Sequence, residues 1–360
     1  VYFRKLDKTM FFYVAILCLI GIVSLYSASY QISAARGENY VAKQLIWMAV
    51  GTMMLFLAVA LGYNKFLEWS YFIYIFSLFL LVLVLVAGKT ASGAKRWLNF
   101  GGFSFQPSEF TKIAFILVLS RYMGDHVHLK KKRLKDVLVP LILCGIPVAL
   151  ILKEPNLGTA TSILVILFFM LYAWEVPMKL LFSFIALGVL STPLLWFMLK
   201  DYQRSRLLVF LNPSQDPLGA GYTITQSKIA IGSGGLLGKG WLSGTQNQLN
   251  FLPERHTDFI FSIIGEEWGF IGVLVVLGIL LFFLLYIIRV IATTKDFYGK
   301  TLVAGFLGMF VFHIGVNIAM TAGFMPVVGI PLPFISYGGS YILTSLFACG
   351  FIISVYSKYR

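Results

Sequence analysis

The sequence predicts an all-α integral membrane protein of about ten transmembrane helices. Three observations carry this. Of the 360 residues, 59% are hydrophobic and only 12% charged, against about 25% charged in a soluble domain. The apolar residues come in long continuous runs rather than in alternation. In hydrocarbon every backbone group needs an internal partner, so such runs read as helices and not as barrel strands. The connections between runs are mostly short and basic, as membrane orientation signals are.

The first run extends from Met10 to about Ala28, behind Arg4-Lys5-Leu6-Asp7-Lys8. It is longer than the roughly 7–15 residues of a signal-peptide core, so it is read as the first span. Nine more runs cover roughly 44–62, 70–87, 108–123, 136–152, 158–174, 179–199, 270–292, 300–322 and 335–356. Each suffices to cross about 30 Å of hydrocarbon at 1.5 Å per residue. Ten spans put both termini on one side. That side carries Lys5, Lys65, Arg121, Lys130-Lys131-Lys132-Arg133, Lys295 and Lys358, and the short loops opposite carry Arg36, Lys43, Lys89, Lys95, Arg96 and Lys153. The bias predicts cytoplasmic termini.

The formal net charge of +14 raises nucleic acid as a partner. The placement of many cations in short loops between spans argues for no nucleic acid instead. Cys18, Cys144 and Cys349 lie inside apolar runs and read as packing residues. Residues 1–360 form a single transmembrane domain with one long outer loop at about 200–257. Within it Tyr222, Ile224, Ile229, Ile231, Trp241 and Phe251 can dock on the bundle.

The stretch Gly232-Ser233-Gly234-Gly235-Leu236-Leu237-Gly238-Lys239-Gly240 has the look of a nucleotide loop. It lacks the Gly and the Ser or Thr that the Walker spacing requires, and no strand precedes it. A flexible turn is the expectation.

Acids are few and therefore informative. Glu109 and Lys112, in Gln106-Pro107-Ser108-Glu109-Phe110-Thr111-Lys112, are three apart and share a helix face. A charged pair just inside a membrane helix marks either a functional site or an ion pair that locks packing. Glu154 lies in the outer turn Lys153-Glu154-Pro155-Asn156-Leu157-Gly158. Asp258 sits in a cluster with Glu254, Arg255 and His256, before an apolar stretch too long for one crossing. A short helix from about 258 to 265, a break at Glu266-Glu267-Trp268-Gly269 and then the true span would account for it. Asp258 would then either cap that helix or act in a site. The four histidines make no metal set, but a carboxylate-bound divalent cation (Mg or Mn) could use Asp258, Glu109 or Glu154. No organic cofactor is expected. The run from Pro326 to Ser340 is rich in Pro and Gly at membrane depth, which predicts a buried or cavity-lining wall.

These residues resemble the SEDS family (shape, elongation, division and sporulation), whose members polymerise peptidoglycan glycan strands. The most specific pieces are Lys95-Arg96-Trp97-Leu98, Phe105-Gln106-Pro107-Ser108-Glu109, the stretch from Asp201 to Ile260, and Leu332-Pro333-Phe334-Ile335-Ser336-Tyr337-Gly338-Gly339. Gly244-Thr245-Gln246, Phe251-Leu252-Pro253-Glu254-Arg255-His256-Thr257-Asp258 and Pro326-Val327-Val328-Gly329-Ile330-Pro331 follow the form of the elongation members rather than the division members.

The resemblance implies a ten-helix fold and an inverting glycosyltransferase. It would act outside the membrane on lipid II and the polyprenyl-pyrophosphate-linked glycan, forming β-1,4 bonds. Asp258 matches the family's essential acid and is the expected general base. Arg96 and Trp97 match its outer-loop motif, and Glu109 and Lys112 its membrane-edge pair. Glu154, Arg204, Arg206, Glu254 and His256 join them as candidate substrate-binding residues. Arg96, Lys112, Arg204, Arg206 or a cation would meet the pyrophosphate charge. A class B penicillin-binding protein and other elongation-complex membrane proteins are the implied partners. A lipid II flippase or a scaffold for a partner synthase would use the same cavity without a base. One departure is Asn156, where the family usually has Asp.

Overall fold

The computed structural model describes residues 7–91, 94–100, 103–128, 132–191, 193, 196–197, 201–216 and 219–358. In chain order the helices are α1 (Lys8–Arg36), α2 (Tyr40–Leu61), α3 (Tyr63–Glu68), α4 (Ser70–Ala87), α5 (Pro107–Asp125), α6 (Leu134–Lys153), α7 (Leu157–Ala173) and α8 (Met178–Leu190). There follow α9 (Asp201–Leu211), α10 (Ala220–Ser233), the single turn α11 (Thr245–Gln248), α12 (Ile260–Thr293), α13 (Phe297–Thr321) and α14 (Gly339–Lys358).

Seven of these, α1, α2, α4, α6, α12, α13 and α14, are long and apolar enough to cross a bilayer. The remaining three expected spans fall on α5, α7 and α8. The first of these carries Glu109, Lys112, Arg121 and Asp125, which lower its apolarity over 19 residues. The other two are 17 and 13 residues long, and part of the expected span 179–199 lies outside the described residues.

Burial sorts the helices. The apolar windows of α13 and α14 are 72% and 78% buried, against 28% for α2, α4, α6 and α12. These two helices and the largely buried α5 therefore form the centre, and α2, α4, α6 and α12 turn a broad apolar face outward, as lipid solvation requires. Small residues let the helices approach closely: a Cβ on Gly350 of α14 would lie 2.6 Å from the Leu55 carbonyl oxygen of α2.

The structure departs from the all-helical expectation between α4 and α5. Strands β1 (Lys89–Ala91), β2 (Ala94–Phe100) and β3 (Phe103–Phe105) form an antiparallel sheet in the order β1-β2-β3. In sequence, Ser92-Gly93 and Gly101-Gly102 fall between the strands, and such dipeptides are hairpin signals that a reading for long apolar runs passes over. The outer connection is also more structured than one loop, since it contains α9, α10 and α11. Ile224 is buried and Trp241, though half exposed, stacks on Tyr26 of α1 at 5.6 Å, but Ile229 and Phe251 remain exposed, so only part of its apolar content docks.

The expected break in the long apolar stretch falls at Gly269, where the backbone of α12 leaves helical geometry (φ 67°, ψ −166°). A break inside a helix strands carbonyls on one side and N–H groups on the other. The Gly-rich stretch satisfies both. The N–H groups of Lys239 and Gly240 donate to the carbonyls of Glu266 and Glu267, each at 3.0 Å. The N–H groups of Phe270 and Ile271 donate to the carbonyls of Gly235 and Leu236, at 2.9 and 3.1 Å. The stretch is thus a fitted plug and not the flexible turn expected. Its glycines permit the approach, since a Cβ on Gly238 would lie 2.1 Å from the Glu267 oxygen. Glu266 completes the lock by pairing with Lys239 at 2.8 Å and accepting from the Gln246 N–H at 3.0 Å.

Candidate functional site

Asp258 ends a tight turn in which the Glu254 carbonyl accepts from the N–H groups of Thr257 and Asp258, at 3.2 and 3.1 Å. The helix beyond starts at Ile260 with Phe259 at its N-cap, and no side chain caps it. The capping alternative for Asp258 is therefore not realised: Thr257 instead donates its hydroxyl to the Glu254 carbonyl, and no described side chain hydrogen-bonds the Asp258 carboxylate. That carboxylate is packed among neighbours with part of its surface accessible. Burial pushes it up to about 7, Glu254 adds to the rise, and Arg206 and Arg96 oppose it.

Those two arginines share a small pocket lined also by Asn156, Gln203, Val327 and Val328. Arg96, on β2, donates to the carbonyls of Pro155 and Glu154 at 2.6 and 3.4 Å. Arg206, on α9, donates to the Val327 carbonyl at 3.0 Å. Backbone carbonyls orient a guanidinium without cancelling its charge. The pocket lining thus holds two guanidinium groups and no carboxylate, which suits an anionic group.

Glu154 caps the end of α6 beside this pocket. It is almost fully buried, and its Oε1 has no hydrogen-bond partner among the described residues. Burial pushes its carboxyl up to about 8 against the pull of Arg96. Asn156 caps α7 by accepting from the Thr159 N–H at 3.2 Å. Asn and Asp cap about equally well, so the departure from the family's usual Asp retains the local structure.

The 254–258 turn, β2, α9 and the end of α6 thus bring Asp258, Arg96, Arg206 and Glu154 together. The other predicted residues are placed differently. Trp97 follows Arg96 on β2, at an irregularity in the pairing with β1, and is not in the pocket lining. Arg204 donates to the carbonyls of Trp196 and Phe197 at 3.1 and 2.9 Å and is not in the pocket lining. His256 packs against Tyr40 and Tyr337, with ring centroids at 4.9 and 5.8 Å. Glu254 is exposed and acts on Asp258 through its charge.

Glu109 and Lys112 form an ion pair of 2.9 Å in the helical interior, outside the pocket. Lys112 also lies 3.0 Å from His313 Nε2, and Ser162 lies 3.2 Å from the same nitrogen. Tyr341 stacks on the His313 ring at 4.9 Å. The three carboxylates considered for a cation, Asp258, Glu109 and Glu154, do not gather into one cluster. Among the described residues no three of His, Cys, Asp or Glu converge on a metal position.

Sequence reasoning missed Asn317 and Gln203. Buried Asn317, on α13, donates to the backbone carbonyls of Asp258 and Ile330 at 3.0 and 2.8 Å. A polar amide inside an otherwise apolar span was the available signal. The loop that holds Ile330 is irregular and is buried at Ile330 and over 332–336, and its residues Pro326, Val327 and Val328 line the pocket.

A family model described as cell cycle protein, for FtsW, RodA and SpoVE, matches residues 8–360. The chain is 37% identical over 353 residues to the peptidoglycan glycosyltransferase MrdB of Escherichia coli (strain K12), covering 98% of this chain and 94% of that protein. Among solved structures it is similar to a chain of a peptidoglycan synthase complex that coordinates polymerization and crosslinking, with 31% identity, a TM-score of 0.85 and 99% of both chains covered. It is also similar to the rod shape determining protein RodA of Thermus thermophilus, with 28% identity, a TM-score of 0.74, and 99% of this chain and 98% of that one covered.

Proposed function

The chain belongs to the FtsW/RodA/SpoVE family of cell cycle proteins, and from that premise we propose that it is a peptidoglycan glycosyltransferase that polymerises lipid II during cell elongation and rod-shape maintenance. It is a multi-pass membrane protein, and in this reading its site lies on the extracytoplasmic side with both termini in the cytoplasm, as the loop charges favour. Its likeness to MrdB supports the activity. The observation that carries the site assignment is the coupling of Asp258 to the two arginines of one anion-suited pocket.

The chemistry joins two steps at one carbon. The growing strand leaves its polyprenyl pyrophosphate as the 4-hydroxyl of the incoming unit attacks from the opposite face, so the anomeric centre inverts. Asp258 takes the hydroxyl proton late, when bond formation has acidified it. A carboxylate held near neutral pKa is a stronger base than an ordinary one and is still about half ionised at neutral pH. Arg96 and Arg206 hold the departing pyrophosphate with pre-oriented charge. Since no three ligating side chains converge among the described residues, a divalent cation, Mg or Mn, would be held mainly by water and the substrate's own phosphates, as magnesium rarely needs an all-protein cage. It would supply further charge screening.

Glu109 and Lys112 serve the site through α13 rather than by touching substrate. A class B penicillin-binding protein is the proposed partner for peptide cross-linking. Likeness to a chain of a peptidoglycan synthase complex supports it.

The direct test is polymerisation of lipid II by the purified protein with no other transferase present. Glycan strands are the expected product. No product, together with lipid II translocation in vesicles, would replace the enzyme with a flippase.

A further inference from the structure

Helix α12 begins without a side-chain cap, so the turn that carries Asp258 must be fixed by something else. The His256 carbonyl accepts from the Tyr337 N–H at 3.0 Å and Arg255 donates to the Ala28 carbonyl at 2.8 Å, but the tie at Asp258 itself comes from Asn317. It is fully buried on α13, and its single NH2 spends one hydrogen on the Asp258 carbonyl and the other on the Ile330 carbonyl, at 3.0 and 2.8 Å. The two acceptors belong to different segments, the 254–258 turn and the irregular loop at 326–331. These segments meet at the carboxylate, because a Cβ on Gly329 would lie 3.4 Å from Asp258 Oδ2. Gly329 itself has φ +72°, a left-handed backbone that gives the loop no regular ladder of its own.

Two carbonyl acceptors require the amide nitrogen on that side, which leaves Asn317 Oδ1 buried without a partner among the described residues. That orientation carries a desolvation cost. The cost is tolerated where the two donated bonds are worth more than the lost one. Asp would turn a carboxylate on two carbonyl oxygens, and Leu would take both donated bonds away.

We propose that Asn317 is the positioning residue for Asp258, a single amide that clamps the turn to the Gly329 loop and so fixes the direction of the carboxylate. This rests on Asp258 being the base. Asn317 does not touch substrate. Its effect reaches the reaction only through where Asp258 points and how dry it stays.

The test measures kcat, KM and the pH–rate profile of lipid II polymerisation for the purified parent, Asn317→Leu, Asn317→Gln and Asp258→Asn, with a thermal melt of each. Folded Asn317→Leu is expected to lose about 10- to 100-fold in kcat, the scale of a misplacement near 1 Å, with KM little changed. Its acid limb should move to lower pH, because a released carboxylate gains water. Asn317→Gln keeps the amide but moves it by one methylene, and should show a smaller loss with a shift in the same direction. If Asn317→Leu does not fold, Asn317→Gln decides by the same two readouts. Parent kcat in a folded variant overturns the proposal. So does a kcat loss with an unshifted acid limb, which marks a merely structural role. Near-parent activity in Asp258→Asn overturns the base assignment and the positioning role with it. An inactive Asp258→Asn beside an unaffected Asn317→Leu overturns the positioning role alone.

Discussion

Lys112 Nζ lies 3.0 Å from His313 Nε2, and His313 stands one turn of α13 before Asn317, whose amide holds the backbone of Asp258. Residues four apart share a helix face. The interior ion pair and the candidate base are therefore attached to the same stripe of one central helix.

Removing one member of that pair strands a buried charge, which costs about 3–5 kcal/mol, whereas replacing both by apolar or neutral groups is often close to neutral. Lys112→Met alone should accordingly lower thermal stability sharply, and Glu109→Gln combined with Lys112→Met should restore most of it. Polymerisation by the folded double variant should stay well below the parent, because the Lys112–His313 contact is gone. Full activity would reduce the pair to a structural bridge.

The pH–rate profile should show its acid limb near pH 7. Asp258 must be ionised to act as a base, and burial holds it up at about 7 rather than in the ordinary carboxylate range. The rate should rise with pH through that value. A limb near pH 4, with Asp258 intact, would contradict the buried-base assignment.

Glu154 should shape stability rather than rate. Its carboxyl is raised from 4.5 to about 8 in the folded protein, so between those values the folded state binds more proton than the unfolded one. Its contribution is fully present below about 4.5 and is lost as pH rises through about 8. Thermal stability of Glu154→Gln should therefore fall less than that of the parent between pH 5 and pH 9, as read by melts across about that range. Parallel curves would contradict the buried neutral carboxyl.

The Gly-rich stretch offers a contrast inside nine residues. A Cβ on Gly238 meets the Glu267 oxygen at 2.1 Å in a left-handed backbone (φ +81°), while one on Gly232 meets nothing within 4 Å. Gly238→Ala should destabilise by about 1–3 kcal/mol or more through strain and overpacking. Gly232→Ala, inside α10, should be neutral or stabilising by up to about 1 kcal/mol. Equal melting temperatures for the two variants would mean that the stretch does not plug the α12 break.

Much of this was legible in the sequence because lipid imposes a one-dimensional rule. Runs of about 20 apolar residues must be helices, and an overlong run had to break, as α12 does at Gly269. Pro107 at a first turn placed Glu109 and Lys112 on one face, where they meet at 2.9 Å. What was illegible depends on distant pairing. Nothing local to Asn317 says that it faces a carbonyl 59 positions away. Arg204 and Arg206 are equally cationic in sequence, yet one is tied to the carbonyls of Trp196 and Phe197 and the other lines the pocket. The Gly-rich stretch read as loose because its partners, the orphaned groups of a broken helix, exist only in three dimensions.

The most direct measurement is the rate of lipid II polymerisation by purified Asp258→Asn, with divalent cation titrated in the same assay. The Asp258 side chain caps no helix, and its turn is held by the backbone bonds to Glu254 and Asn317. The substitution should therefore leave melting temperature and lipid II binding nearly unchanged. The rate should fall by about 10²-fold or more, the scale of general-base loss, at every cation concentration. Near-normal glycan synthesis by the folded variant would contradict the account, and would end Asp258 as base and as cation ligand together.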